Sequence, residues 1–362
     1  MRRFVPNWAS LLPQATSLLV KPVLFQVKTA GKDFLFPLFF DKIKTVLISL
    51  TGRRFFPMNV TALFNAMPGA VSQGLIWGIM AIGVYITYKI LDVADLTVDG
   101  TMCTGGAVFI MSTVAGCSVP VALLLAFVAG MAAGLVTGLL HTACGIPAIL
   151  AGILTQLALY SINLRIMGKS NQPINANKYD LLITSRNVKV LSFSNPIFVV
   201  GIAVIVLIAV LYWFFGTEVG SSLRSTGANP NMSRAQGINV NFTKVLGLMI
   251  SNGVVALSSA LLSQYQGFAD VSMGRGAIVI GLAAVIIGEV IFSKVFRNFA
   301  LKLLSVVLGA IIYYVVYQVV IWLGMSGDDM KLITAAIVAI FLAIPYWKSK
   351  HHVKRKGGAA RA

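Results

Sequence analysis

The side chains able to do chemistry in this chain are few and fall in two places. Asp92, Asp95 and Asp99, with Thr97 and Thr101, crowd into "DVADLTVDGT", beside or within an apolar run. Ionisable groups there are costly unless they face protein or water. The stretch is therefore either part of a polar pathway or a solvated loop at the end of a span. A spacing of i, i+3 or i+4 would put the carboxylates on one side of a helix. The second place is "TGANPNMSRAQGINVNFTK", residues 226 to 244, a polar stretch between two long apolar runs. Catalytic constellations are lacking. Cys103, Cys117 and Cys144 show no metal or redox spacing and read as buried apolar thiols. His141, His351 and His352 make no ligand pattern with them, and no phosphate-binding GxxxxGK[ST] occurs. No catalytic residue, cofactor or metal is expected, and the chain does not read as an enzyme.

The elements that hold these residues follow from composition. Of 362 residues, 57% are hydrophobic and 11% charged, and the mean hydropathy is +0.86. A water-soluble domain of this length does not have such a balance. The expected fold is all-α, a polytopic transmembrane helical bundle. Apolar runs of about twenty residues, each about 30 Å long as helix, suggest nine spans. They fall near 70–90, 98–116, 118–140, 147–167, 196–215, 245–265, 276–293, 302–323 and 332–347. Gly105 and Gly106 interrupt the second.

The charge is lopsided, 29 Lys and Arg against 11 Asp and Glu, a net +18. It lies between and beyond the spans, where the positive-inside rule explains it without any nucleic acid partner. The tail 348–362 is basic and acid-free, which places it in the cytoplasm. Counting back, residues 294–302 and the 226–244 loop lie inside, with the end of span one near Lys89. The 168–195 connection and "GMSGDDMK" lie outside. Residues 1–57 carry nine basic residues against Asp33 and Asp41 and break this alternation. They read either as a membrane-surface extension or as residues preceding a native start at Met58 or Met67. The transmembrane domain is taken as 58–347.

The 226–244 loop is built to fold locally. Asn229 is a good N-cap, Pro230 suits the first helical position, and Gly237 can take the left-handed conformation that closes a helix. Asn239 or Asn241 can cap the next span, near Phe242. The loop thus reads as a short capped helix on the cytoplasmic face, a rigid knob for a partner.

The segment from "SLRSTGANPNMSRAQGINVN" through "GLAAVIIGEVIF", together with "YKILDVADLTVDGTMCTGGAV", resembles the permease subunits of ABC importers of the branched-chain amino acid and ribose type. Within that family it is most similar to the subgroup associated with tryptophan- or tyrosine-type binding proteins. The likeness covers about residues 68 to 347 and departs at Arg275, where a small or apolar residue is expected. The resemblance implies two permease subunits, here a homodimer in the lipid bilayer, driven by two cytoplasmic ABC ATPase subunits and fed by an external substrate-binding protein. It also implies that Asn229, Pro230, Met232, Arg234, Ala235 and Gly237 couple to the ATPase, and that Asp95, Thr97, Asp99 and Thr101 shape the translocation pathway. The alternatives are a secondary transporter, an ABC permease for a sugar or nucleoside, and a membrane assembly protein.

Three smaller readings complete the set. Glu289 sits at the inner end of a span, either as an interfacial partner for Lys294 or Arg297 or in a transport role. The "QYQGFAD" turn, 264–270, is either a contact for the binding protein or a polar connector. The small-residue series at 129–138 and 281–288 predict close helix packing.

Overall fold

The computed structural model describes residues 60–175, 178–179, 181–189, 195–292 and 295–322, with single residues 335 and 339. The expectations for residues 1–57, for a ninth span at 332–347 and for the tail 348–362 fall outside these.

A chain that leaves its backbone no water must close its hydrogen bonds within helices, and a helix stands on each of the first eight expected spans. In order they are α1 (Val60–Tyr85), α2 (Val98–Val114), α3 (Val119–Thr142), α4 (Ala148–Met167), α5 (Pro196–Gly216), α6 (Glu218–Ala228), α7 (Pro230–Ala235), α8 (Val240–Gln266), α9 (Ala277–Phe292) and α10 (Phe299–Trp322). The polar helices α6 and α7 are additional to those eight. Among the described residues six helices are long and apolar enough to cross a membrane; α2 and α9 are apolar but shorter, about 25 Å by helical rise. Among the described residues the bundle is thus all-α and polytopic, with spans of unequal length.

Helices α1 and α8 form the centre, with 78% of the residues in the apolar stretch of each buried, against 28% and 22% for α4 and α5. The outward face of α5 carries Phe198, Ile202, Ile205 and Trp213, a surface that suits lipid. Close packing at the centre rests on small residues. Gly130 and Gly134 of α3 abut the α8 backbone at Asn252 and Leu248, and Gly288 of α9 abuts Ser305 of α10. Both small-residue series therefore pack as their spacing predicts. The expected interruption at Gly105 and Gly106 is absent: α2 is continuous. A side chain at Gly105 would overlap the Ala256 backbone, and one at Gly106 would meet Ser263 and Met273. Serines supply polar ties, since Ser251 donates to the Gly83 carbonyl and Ser258 to that of Ile76, each at 2.7 Å.

One feature lies outside the expected helices. β1 (Asn171–Pro173) and β2 (Phe268–Asp270) pair antiparallel, with Asn171 opposite Asp270. Gly267, at φ +81, ends α8 and turns the chain into β2. The 264–270 turn is thus a sheet edge pinned to the 168–189 connection. Burial pushes the Asp270 carboxyl up, but hydrogen bonds from the Ser272 hydroxyl and amide and from Asn171 outweigh it, so the group titrates below the usual carboxylate range. Arg275, the departure from the family pattern, is exposed in the next turn. Of the three cysteines only Cys103 is buried, its thiol donating to the Val271 carbonyl at 2.9 Å; Cys144 is exposed, against expectation.

Candidate functional site

The 226–244 loop folds as its residues dictate. The Asn229 side-chain oxygen accepts from the Asn231 and Met232 amides, both at 3.1 Å, and Pro230 opens α7. At the other end Gly237 takes φ +82. The Ile238 amide returns to the Ser233 carbonyl at 3.0 Å, closing the helix in the manner of a left-handed C-cap. Asn239, rather than Asn241, caps α8 by accepting from the Phe242 amide at 3.1 Å. Ser233 is the inward residue, buried and donating to Ser225 of α6 and to the Asn229 carbonyl. Met232, Arg234 and Ala235 face outward, with Met232 59% exposed; Arg234 donates to the Asn231 side chain at 3.2 Å.

Sequence reasoning missed two parts of this elbow. The first is α6, whose Ser- and Gly-rich residues are weak helix formers. Its signal was Thr217, which caps it by accepting from the Gly220 amide at 3.3 Å, followed by acidic Glu218 in the first turn. The second is Phe242, 61% exposed in the first turn of α8, a second apolar side chain at the same end. Gly227 of α6 lies so close to the Ile90 carbonyl that a side chain would overlap it. The elbow therefore presses directly on the end of the first span.

That end is irregular. After Tyr85 the helix widens into a π turn, Ile86–Ile90, with the Leu91 amide reaching back to the Ile86 carbonyl at 3.0 Å. The chain then leaves helix geometry, with Asp92 at φ 54, until α2 begins at Val98. The three carboxylates consequently do not share one helical side. Asp92 is exposed, Asp95 is 3% exposed, and Asp99 reaches another element. Thr155, which joins the Asp95 cluster, lies seven residues into α4, about 10 Å from its start. The non-helical backbone is thus inside the bundle, where it must be covered by protein or line a water-filled cavity.

Asp95 anchors the cluster. Its two oxygens accept from the Thr97 amide at 2.9 Å and from the Asn252 side-chain amide at 2.7 Å. Thr101 donates to the Asn252 oxygen at 2.7 Å, and Thr97, Thr137 and Thr155 continue the chain of hydroxyls at 2.8 and 2.9 Å. The network ties α2, α3, α4 and α8 together. A solvated loop is therefore not what the sequence encodes here. Asp99 has a different task. Its carboxylate accepts from the Gly276 and Ile278 amides at 2.9 and 3.0 Å, capping the otherwise unsatisfied start of α9. Asn252 was not identified from the sequence, since an Asn within an apolar run has no partner until the fold supplies one.

Every group that Asp95 touches donates to it, so Asp95→Asn sets an amide against one of two donors. The expected result is a loss of roughly 1–3 kcal/mol, read as a lower denaturation midpoint of the detergent-purified protein. The swap Asp95→Asn with Asn252→Asp should recover part of it. A single variant as stable as the parent would dismiss the network as a structural anchor.

Glu289 pairs with Lys89, at 3.2 Å, rather than with Arg297; Lys294 lies outside the described residues. The pair is partly exposed and worth little to stability. It does join the end of the first span to α9.

The chain is similar to proteins of known kind. It matches the family described as "Branched-chain amino acid transport system / permease component" over residues 67–344. It is 42% identical to a tyrosine transport system permease protein of Clostridioides difficile, over 76% of this chain and 91% of that protein. An uncharacterized protein of Rickettsia prowazekii is 33% identical, over 77% and 97%. The ribose import permease protein RbsC of Escherichia coli is 23% identical, over 82% and 89%. With the family matched across nearly all of the helical bundle, the chain belongs to the branched-chain amino acid transport system permease family and is a transport permease of the membrane.

Proposed function

We propose that this permease carries an aromatic amino acid inward as the membrane subunit of an ABC importer. A cytoplasmic ATPase would grip α7, and an external binding protein would deliver solute at the β1–β2 end. The observation that carries the coupling role is the elbow itself. Caps at Asn229 and Gly237 pre-form a helix that turns Met232, Arg234 and Ala235 outward, while α6 transmits its position to the wide turn through Gly227. Met232 and Phe242 supply apolar contact for a groove. The solute rests on the similarity to the tyrosine permease. Basic residues of three separate segments, Lys89, Arg224 and Arg297, converge near this end, which supports placing it in the cytoplasm. With nine spans the C-terminus would also lie inside, and two copies of the chain would form the pathway.

Within this reading Asp95, Thr97, Asp99 and Thr101 shape the pathway by fixing α2 against α8 and α9, and so set rate more than preference. Vesicles holding the permease, its ATPase and its binding protein should take up labelled tyrosine or tryptophan only with ATP. Asp99→Asn sets an amide against one of the Gly276 and Ile278 donors, a loss of roughly 1–3 kcal/mol, and should lower that uptake about tenfold at unchanged preference. Uptake without the ATPase would identify a secondary transporter, and competition by ribose but not tyrosine would move the substrate class to sugars.

A further inference from the structure

The end of α5 carries a feature the transport reading does not use. Its last turn exposes Tyr212 (49%) and Trp213 (72%) on the most apolar and least buried of the six spanning helices. Aromatic rings with a polar atom collect where a span leaves the hydrocarbon. Beside them is a cavity of about 580 Å³. A second, of about 750 Å³, is lined by Lys89, Asp92, Arg297 and Lys302. Arg224, Asn298 and Phe299 line both.

The charge of this place is positive and partly pre-arranged. Arg224 is held by a hydrogen bond to the Phe215 carbonyl at 2.8 Å and by the Phe299 ring, 5.9 Å from its guanidinium carbon. Arg297 and Lys302 are exposed beside it. Lys89 is neutralised by Glu289, and Asp92 is the one carboxylate of the lining. The cationic rim therefore opens next to an apolar wall that continues up the outward face of α5. A soluble anion has no use for that wall. A molecule with an anionic head and hydrocarbon tails fits both parts.

We propose that these joined cavities bind the headgroup of an anionic phospholipid, its phosphate among Arg224, Arg297 and Lys302 and its acyl chains along α5. The assignment is independent of the coupling and solute readings. It predicts a lipid preference in the purified, delipidated full chain, measured by native mass spectrometry. Phosphatidylglycerol should be retained about 25-fold more tightly than phosphatidylcholine of the same chains, since the three basic residues less Asp92 leave a net two positive charges, each adding about fivefold at an anionic surface. R297Q/K302Q should remove most of that preference, while R297K/K302R should keep it. Brominated phosphatidylglycerol should quench Trp213, so that W213F loses the quenched fraction. An unchanged preference in R297Q/K302Q, or quenching indifferent to W213F, overturns the proposal. Displacement of the lipid by millimolar inorganic phosphate overturns it in favour of a soluble anion.

Discussion

Replacing Gly237 by valine is expected to leave the permease inserted and folded while solute-stimulated ATP hydrolysis in the assembled complex falls by about tenfold or more. Gly237 holds φ +82, and no neighbouring atom would meet a Cβ there. The substitution therefore acts on backbone conformation alone. A left-handed conformation costs an L-residue roughly 1–2 kcal/mol, more with a branched Cβ, and about 1.4 kcal/mol is a tenfold change. The C-cap of a helix only six residues long has little else to hold it. Gly237→Asn is the control, because Asn tolerates the left-handed region; it should retain most of the coupling. Equal stimulation in the valine variant would remove α7 from the coupling path.

The second large effect concerns the centre of the bundle. Gly105→Ala should destabilise the protein by about 1–3 kcal/mol, the usual cost of overpacking, because the added methyl would overlap the Ala256 backbone, which cannot rotate away as a side chain can. Gly201→Ala in α5 is its mirror. That position has open space, so alanine should be neutral or stabilising by up to about 1 kcal/mol. Both are read from denaturation of the purified protein in one detergent. If the two alanines behave alike, small residues in α2 are not what lets α8 approach.

How much of this was legible depends on the reach of each signal. Asn229, Pro230 and Gly237 act on amides within a few residues, so their spacing alone predicted α7 and its caps. The spans followed from apolar length, which also located α2 and α9. What failed was non-local. Asp95 meets Asn252, Asp99 meets Gly276 and Ile278, and Lys89 meets Glu289, pairs 157 to 200 positions apart. A carboxylate near a span reads as solvated or as pathway until its donors are known. The β1–β2 pair was hidden for another reason: strands of three residues, one with a proline, show no alternation.

The wide turn at Ile86–Ile90 also sets an angle. Each residue of an α-helix advances the direction of its side chain by about 100°, so one extra residue in a turn offsets everything after it by about that amount. Lys89 sits within the widened turn and reaches Glu289 of α9, and Leu91, which closes the turn, lies against Gly227 of α6 and Gly247 of α8. The first span thus ends in a turn set out of phase with the helix above it, the helix keyed to α8 and α10 and the turn to the elbow. Narrowing the turn to an ordinary one would rotate its own side chains, Lys89 among them, without moving the helix above. A rotation of that kind needs no sliding of the packed glycine faces, and so offers the bundle a degree of freedom that its close-packed centre otherwise denies it.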